Sequence, residues 1–335
     1  MLHFCYYCVT NVCYPDGAGG PDSGGERIMK RTLSVKAIAA ALILSLILPV
    51  MTVPADEAGA EAQTDTAVNT AADTAPEKSK TIRNGYDEDG NFYDSKGYRI
   101  QKSTIRHLLE VALQPVGKTV YVWGGGWGGV PEATTIGVSP RWEQFFKQQT
   151  SSYDYRTTRY QAHDGLDCSG FVGWVMYNTF NTEDGHGSYV MLAQVMAKTF
   201  SNWGWGSYRT ARKFKSQKPG DVMSLAAGHV YIVIGRCSDG SLVIVHSSPK
   251  GVMINGTVSR KGKKKSKAWK LAKKYMKKYY PEWYSKFKDV RRGMAYLKSY
   301  SKMSWYIDTP NSVMSDPEGL RGMNAAQVLK VIFHE

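Results

Sequence analysis

The stretch GLDCSGFVGWVMY, residues 165–177, places a cysteine directly before an apolar run with helical periodicity. The apolar residues repeat at the spacing of one helix face: Phe171, Val172, Val175 and Met176. Cys168 is therefore expected in or just before the first turn of a helix. Unpaired N–H groups and the positive end of the helix dipole favour the thiolate there, which is the nucleophilic form of cysteine. The alternative is a structural role, because free cysteine is among the most buried residue types.

Two histidines downstream offer the base and the orienting group that a cysteine nucleophile needs. Residues 228–248, GHVYIVIGRCSDGSLVIVHSS, alternate and are β-branched on both sides of a Ser-Asp-Gly turn, which predicts a hairpin. His229 opens the first strand and His246 lies near the end of the second. A turn of two or four residues puts both imidazoles on one face of the hairpin, whereas a turn of three residues puts them on opposite faces. Each histidine taken alone is equally compatible with an ordinary strand residue.

Five motifs in a fixed order resemble the NlpC-type cell-wall cysteine peptidases, a bacterial branch of the papain-like superfamily. They are YVWGG at 121–125, GLDCSGF at 165–171, KPGDVM at 218–223, GHVYIVIG at 228–235 and VHSS at 245–248. The resemblance covers about residues 101–255. It implies an α+β fold of the papain-like type, with N-terminal helices packed on a central antiparallel sheet.

The resemblance also implies roles for individual residues. Cys168 would be the nucleophile, His229 the general base and acid, and His246 the group that orients His229. The substrate subsite of the family maps onto Tyr121, Asp167 and Ser169. The family hydrolyses peptide stems of peptidoglycan, commonly after D-glutamate, and some of its members are amidases.

No metal or other cofactor is expected, since no spacing of His, Cys and Asp resembles a zinc site. An N-acetylmuramoyl-L-alanine amidase, an acyl-transfer enzyme of the same superfamily and a non-catalytic wall-binding protein remain alternatives. His163 lies close to Cys168 in sequence and is expected to be a loop residue.

Residues 126–164 exceed what compact members of the family need and are rich in aromatic side chains. A short helix is expected near residues 140–149. The segment is either a loop at the mouth of the cleft or a packing elaboration.

Residues 259–300 hold 16 Lys and Arg against two acids, an excess equal to the formal net charge of +14 of the whole chain. Apolar residues at helical spacing predict a basic helical insertion that docks one face and ends before Pro281: Trp269, Ala272, Met276 and Tyr279. A basic surface favours anionic wall polymers or a membrane surface, with no nucleic acid expected. A solvated charged face without a partner is the alternative.

The start of the chain predicts export. Residues 1–28 are interpreted as a mis-called upstream start, and residues 29–60 as a signal peptide cleaved after Ala55 or Ala60. Residues 61–100 are expected to form a disordered spacer, with one or two small hairpins at 84–99. Three of the five cysteines lie in residues 1–28, which leaves Cys168 and Cys237 and predicts no disulfide framework.

Residues 101–335 are expected to form a single catalytic domain of a secreted or wall-associated protein. Within it, the sequence predicts a helix near residues 104–113, a late strand at 301–306 and a closing helix at 325–333 that follows an Asn324 cap.

Overall fold

The computed structural model describes residues 92–93, 99–127, 131–159, 161–180, 189–214, 216–310 and 312–335. The expected leader at 1–28 and 29–60 and most of the spacer at 61–100 lie outside these residues. Strands β1 (Phe92–Tyr93) and β2 (Arg99–Ile100) pair antiparallel, which confirms one hairpin in the region 84–99.

The helices that the sequence predicts begin and end close to the expected residues. Helix α1 (Ile105–Leu113) is capped by the Thr104 hydroxyl, which accepts a hydrogen bond from His107 N. The remaining helices are α2 (Pro140–Gln148), α3 (Cys168–Phe180), α4 (Met196–Asn202), α5 (Lys267–Tyr279), α6 (Pro281–Phe287), α7 (Ala295–Lys298) and α8 (Ala325–Ile332). The expected Asn324 cap of α8 is present and is completed by Gln327, whose side chain accepts from Asn324 N. Each helix among the described residues is too short or too polar to span a bilayer.

A seven-stranded sheet forms the centre of the fold. Its strands are β4 (Gly206–Arg209), β5 (Val222–Leu225), β6 (His229–Arg236), β7 (Leu242–Ser248), β8 (Gly251–Thr257), β9 (Arg291–Arg292) and β10 (Ser301–Trp305). Their order is β4-β10-β5-β6-β7-β8-β9, and all neighbours are antiparallel except β8 and β9. A short strand β3 (Ser103–Thr104) pairs in parallel with β11 (Met314–Ser315). Helices packed on a mostly antiparallel sheet confirm the α+β class, and β10 confirms the late strand.

The two faces of β6 belong to different apolar clusters. Val230, Ile232 and Ile234 lie in the main core together with α3, whereas Tyr231 and Val233 lie in a second cluster on the opposite face. This follows from the period of two along a strand. His229 has the parity of the second face.

Helix α3 is buried on every side. All 13 of its residues are buried, including the polar ones, so the expected single apolar face is too narrow a description. A helix that is enclosed all round belongs to the core of the domain. Cys168, its first residue, is consequently held by a rigid element.

Helix α2 packs into the core, which favours the packing alternative for this part of segment 126–164. Trp142 is fully buried and its ring lies edge-on to Trp174, with centroids 5.8 Å apart. Phe146, one turn later on the same face, is also buried.

Segment 259–300 packs a helix on the sheet and adds one strand to it. Helix α5 buries Ala268, Ala272, Tyr275 and Met276, and its backbone lies against β8 at Gly256, where a Cβ atom would overlap Trp269 N. After α6 the chain returns as β9 beside β8. The expected helix before Pro281 and the docking of one of its faces are confirmed, and the segment in addition supplies a strand of the sheet.

Glycines allow the loop after α1 to reach the first turn of α3. A Cβ atom on Gly170 would overlap Gly125 O, and one on Gly125 would overlap Gly165 O. These backbones pack against each other because no side chain separates them.

Replacement of Gly170 by alanine is expected to destabilise the fold, because neither backbone can give way. We expect Gly170→Ala to lower the free energy of unfolding by about 1–3 kcal/mol, as overpacking does, in urea denaturation. The matched control is Gly322→Ala, where an added Cβ atom has open space. Equal effects of the two substitutions would contradict the packing described here.

Candidate active site

Cys168 is the first residue of α3, as the sequence predicts. Asp167 precedes it and caps the helix, since its Oδ1 accepts from Gly170 N at 2.7 Å and from Ser169 Oγ at 2.8 Å. Its Oδ2 accepts from Gly124 N at 3.2 Å, which ties the loop after α1 to the cysteine. The cap and the loop together hold the thiol in place.

The thiol lies at the beginning of β6. Cys168 Sγ is 3.9 Å from the carbonyl oxygen of Gly228, the residue immediately before His229. Burial raises the pKa of the Cys168 thiol, and the neighbouring Asp167 adds to this; the backbone N–H groups of Val230, Ser169 and Cys168 act in the opposite direction. Burial dominates, so the resting thiol is neutral.

A bulge places the two histidines on the same face of the hairpin. Arg236 pairs with Leu242, which leaves five residues in the loop, an odd number that would put the imidazoles on opposite faces. The register shifts between Val233 and Gly235, and this extra residue restores the parity. Both histidines therefore lie on one face of the hairpin, one of the two arrangements that the sequence allows. The loop, however, is longer than any of the turns considered from the sequence.

The imidazoles are joined in a chain of hydrogen bonds that ends at Asn255 in β8. His229 Nε2 lies 2.8 Å from His246 Nδ1, and His246 Nε2 lies 2.7 Å from Asn255 Oδ1. The Asn255 amide donates to the carbonyl oxygens of Asp289 at 2.8 Å and Ile254 at 3.2 Å. Its Oδ1 is therefore the acceptor in the contact with His246.

This chain assigns the tautomer of each ring. His246 Nε2 must donate to Asn255, so Nδ1 of the neutral His246 is an acceptor. His229 Nε2 then donates to it, and the lone pair of the neutral His229 ring lies on Nδ1. This is the nitrogen that remains to accept a proton from a thiol.

Both histidines are held neutral. Burial lowers the pKa of His229 to about 3, and the positive charge of Arg292 lowers it further. Burial likewise lowers the pKa of His246 well below its usual value, with Arg292 and His229 contributing. The fixed tautomers are consistent with this, because a protonated imidazole has no lone pair to accept with.

The residues expected to line the substrate subsite lie around the start of α3. Ser169 Oγ accepts from Trp127 Nε1 at 3.0 Å while it donates to Asp167. Burial raises the pKa of Asp167 to about 6. Tyr121 is buried, with its ring edge-on to Tyr155 at 5.2 Å. Asp167 and Ser169 thus have clear structural roles at the helix cap.

Three residues of the site were missed by the sequence analysis: Asn255, Arg292 and Tyr296. Asn255 could have been noticed as an amide inside the apolar strand GVMINGT. Arg292 and Tyr296 lie within the basic segment 259–300, where the run of charge hides them. Arg292 binds Asp289 through both terminal guanidinium nitrogens, at 2.8 and 2.9 Å, and its partly buried side chain lies close enough to the imidazoles to lower their pKa values.

The other reactive side chains of the sequence analysis lie elsewhere. His163 is exposed and contacts Glu132 through Nδ1 at 2.9 Å, and it lies in a three-residue 3-10 helix, Ala162–Asp164, rather than in the expected loop. Cys237 is a free thiol in the hairpin loop, and burial raises its pKa to about 11. Among the described residues, no group of three or more His, Cys, Asp and Glu side chains is arranged to hold a metal ion.

Comparison with known proteins returned no match: no family model, no curated protein and no solved structure is similar to the chain.

The buried His229 ring predicts a pH-dependent stability. The folded pKa of about 3 lies below the unfolded value of about 6.5, so the unfolded chain takes up the proton first as the pH falls. Relative to His229→Gln, the wild type should lose roughly 1.4 kcal/mol of unfolding free energy per pH unit between about pH 6.5 and 3. Urea denaturation of both proteins at several pH values measures this. Parallel curves would show that the ring is not held neutral.

Proposed function

We propose that this protein is a secreted cysteine peptidase which hydrolyses amide bonds in peptidoglycan stem peptides, with a papain-like arrangement of its catalytic groups. The observation that carries the proposal is the relay from Asn255 through His246 to His229, next to a cysteine at a helix start. The five ordered motifs support the family and the substrate.

Acylation begins with the thiol proton. The Cys168 side chain turns from Gly228 O towards His229 Nδ1, which takes the proton as the thiolate attacks the amide carbonyl carbon. Hydrogen bonds in resting sites are often long and tighten only when substrate is bound. The C–N bond then breaks, the imidazolium gives its proton to the leaving amine, and a thioester remains on Cys168.

Backbone N–H groups stabilise the negative charge that develops on the carbonyl oxygen. Those of Cys168 and Ser169 are directed towards the sulfur at the helix start, and the helix dipole adds to them. Because they belong to a buried helix, they need no reorganisation during the reaction.

Deacylation reverses the roles. His229 Nδ1 removes a proton from a water molecule that attacks the thioester carbon, and the C–S bond breaks. The proton returns to the sulfur and the neutral resting state is restored. His246 holds the Nε2–H of His229 throughout, which keeps the ring in the reactive orientation.

The positive charge of segment 259–300 favours a polyanionic partner. We propose that this partner is an anionic polymer of the cell wall. Helix α5 exposes Lys267, Lys270, Lys274, Lys277 and Lys278, whereas its apolar residues are buried against the sheet. A helix that binds a bilayer surface inserts an apolar face, and here that face is already occupied. Because the apolar face of α5 is already buried, the exposed lysines favour wall polymers over a lipid surface.

The proposal requires Cys168 for turnover. Purified peptidoglycan incubated with the wild type should release stem fragments detectable by mass spectrometry, and Cys168→Ala should reduce this release by at least about 1,000-fold. Cys237→Ala is the matched control, since it removes the other described thiol, and should leave turnover unchanged. Equal release by Cys168→Ala and the wild type would exclude the mechanism.

The released fragments also separate the alternatives. New amino termini within the stem indicate the endopeptidase, whereas intact stems freed from muramic acid indicate the amidase. Transfer of the acyl group to an added amine indicates the acyl-transfer enzyme. Binding to peptidoglycan without any product indicates the wall-binding protein.

The basic surface predicts salt-sensitive binding to wall polymers. Reversal of Lys264, Lys265 and Lys270 to glutamate should weaken binding to purified teichoic acid on the order of tenfold at low salt, and less at high salt. Reversal of the exposed Lys118, Lys198 and Lys330 is the control with the same change in net charge. Equal weakening by both triples would indicate that only the overall charge matters.

A further inference from the structure

The imidazole pair is covered on one side by residues from the end of the basic segment. The Tyr296 ring lies 5.7 Å from the rings of both His229 and His246, nearly perpendicular to the second. Its backbone carbonyl accepts a hydrogen bond of 2.6 Å from Tyr231 Oη. Tyr300 contacts His229 from the same side, with ring centroids 6.2 Å apart.

Several bonds fasten this cover to the sheet. Arg292 donates to both oxygens of Asp289 and to Ser248 Oγ at the end of β7. The carbonyl oxygen of Asp289 accepts from Asn255, the last member of the relay. Asn255, which fixes the tautomers, and the segment that covers the rings are thus joined by one network of hydrogen bonds.

We propose that Tyr296 is a positioning residue that holds the His229 and His246 rings in the relay geometry, and that Tyr296 and Tyr300 together keep water away from them. His229 is 6% exposed and His246 is fully buried, although both lie on the face of the sheet opposite α3. On that face it is the aromatic residues of this segment that exclude water from the rings.

The shape of the contact explains the positioning effect. A tyrosine ring edge-on to an imidazole restricts its rotation, and aromatic pairs prefer this perpendicular arrangement. The Tyr296 side chain itself is only partly buried, so one part of it faces the solvent side of the site.

The titratable and charged groups that lie against the two imidazoles are Arg292 from β9, Tyr296 from α7 and Tyr300 after it, and each imidazole also faces the other. Cys168 and Tyr231 lie beside Tyr296. Arg292 remains in place when Tyr296 is replaced. A change in the titration of the imidazoles then reports on water entry and ring order.

The first test needs no substrate. Histidine ring signals in long-range ¹H–¹⁵N NMR spectra of the full chain report tautomer and titration, with assignment by His229→Gln and His246→Gln. In the wild type and in Tyr296→Phe, the His229 ring should keep its proton on Nε2 and stay neutral at pH 5. In Tyr296→Leu, which removes the flat ring, the rings should exchange tautomers and titrate closer to 6.5.

Two different apolar replacements of Tyr296 are compared, because one of them could unfold the protein. Tyr296→Met is a second apolar replacement that fills irregular space, so either Leu or Met suffices if its thermal unfolding midpoint stays near that of the wild type. The matched control is Tyr306→Leu, a tyrosine that is 48% exposed and should change nothing in the histidine spectra. Wild-type spectra in a folded Tyr296→Leu or Tyr296→Met protein would overturn the proposal.

The second test uses turnover and rests on the proposed function. Tyr296→Leu should lower kcat roughly tenfold to a hundredfold, as misplacement of a catalytic base does, whereas Tyr296→Phe should retain most of the activity. If the spectra change as expected but the wild type releases no fragments, the positioning role stands and the proposed function fails. Turnover by the wild type with an undiminished kcat in Tyr296→Leu overturns the positioning role alone.

Discussion

The hydrogen-bond relay from Asn255 to His229 is the constraint on which the site depends. His246 donates from one nitrogen and accepts at the other, which only a neutral imidazole can do, whereas His229 donates its Nε2–H to His246 whether or not its Nδ1 carries a proton. Two backbone carbonyls fix the Asn255 amide, and the assignment of His246 and His229 follows from it without further choice. The lone pair on His229 Nδ1 is thus determined by the backbone of β8 and of the turn before β9.

Burial shifts the pKa values of all three proposed catalytic groups, Cys168, His229 and His246, so that each favours its neutral form. It disfavours every charged form, so the thiol and both imidazoles rest neutral, and Arg292 strengthens this for the rings. A preformed thiolate–imidazolium pair is therefore not the resting state. For the proposed peptidase, this favours proton transfer during attack, with helix N–H groups stabilising the charge that would develop on the substrate.

The basic segment 259–300 has an exposed face that carries lysines and a buried face that packs against the sheet. Its lysines are exposed along α5, while its aromatic and small residues complete the core and, after β9, cover the histidines. The excess charge of the whole chain is thus carried by an element that also closes the site. A polymer bound along the lysines would lie on the same segment that supplies Arg292 and Tyr296, so the proposed polymer site and the proposed active site share one segment of chain.

The sequence by itself determined the local features: the helix that begins at Cys168, the hairpin of His229 and His246, and the capped helix after Asn324. These depend on periodicity, capping and turn chemistry within short stretches of chain. Only the tertiary structure decided that a bulge corrects an odd loop and that Asn255, Arg292 and Tyr296 join the site. The reason is physical: a bulge leaves little trace in an alternating pattern, and contacts between residues 40 or more positions apart, such as Tyr296 on His246, arise only when the strands have paired.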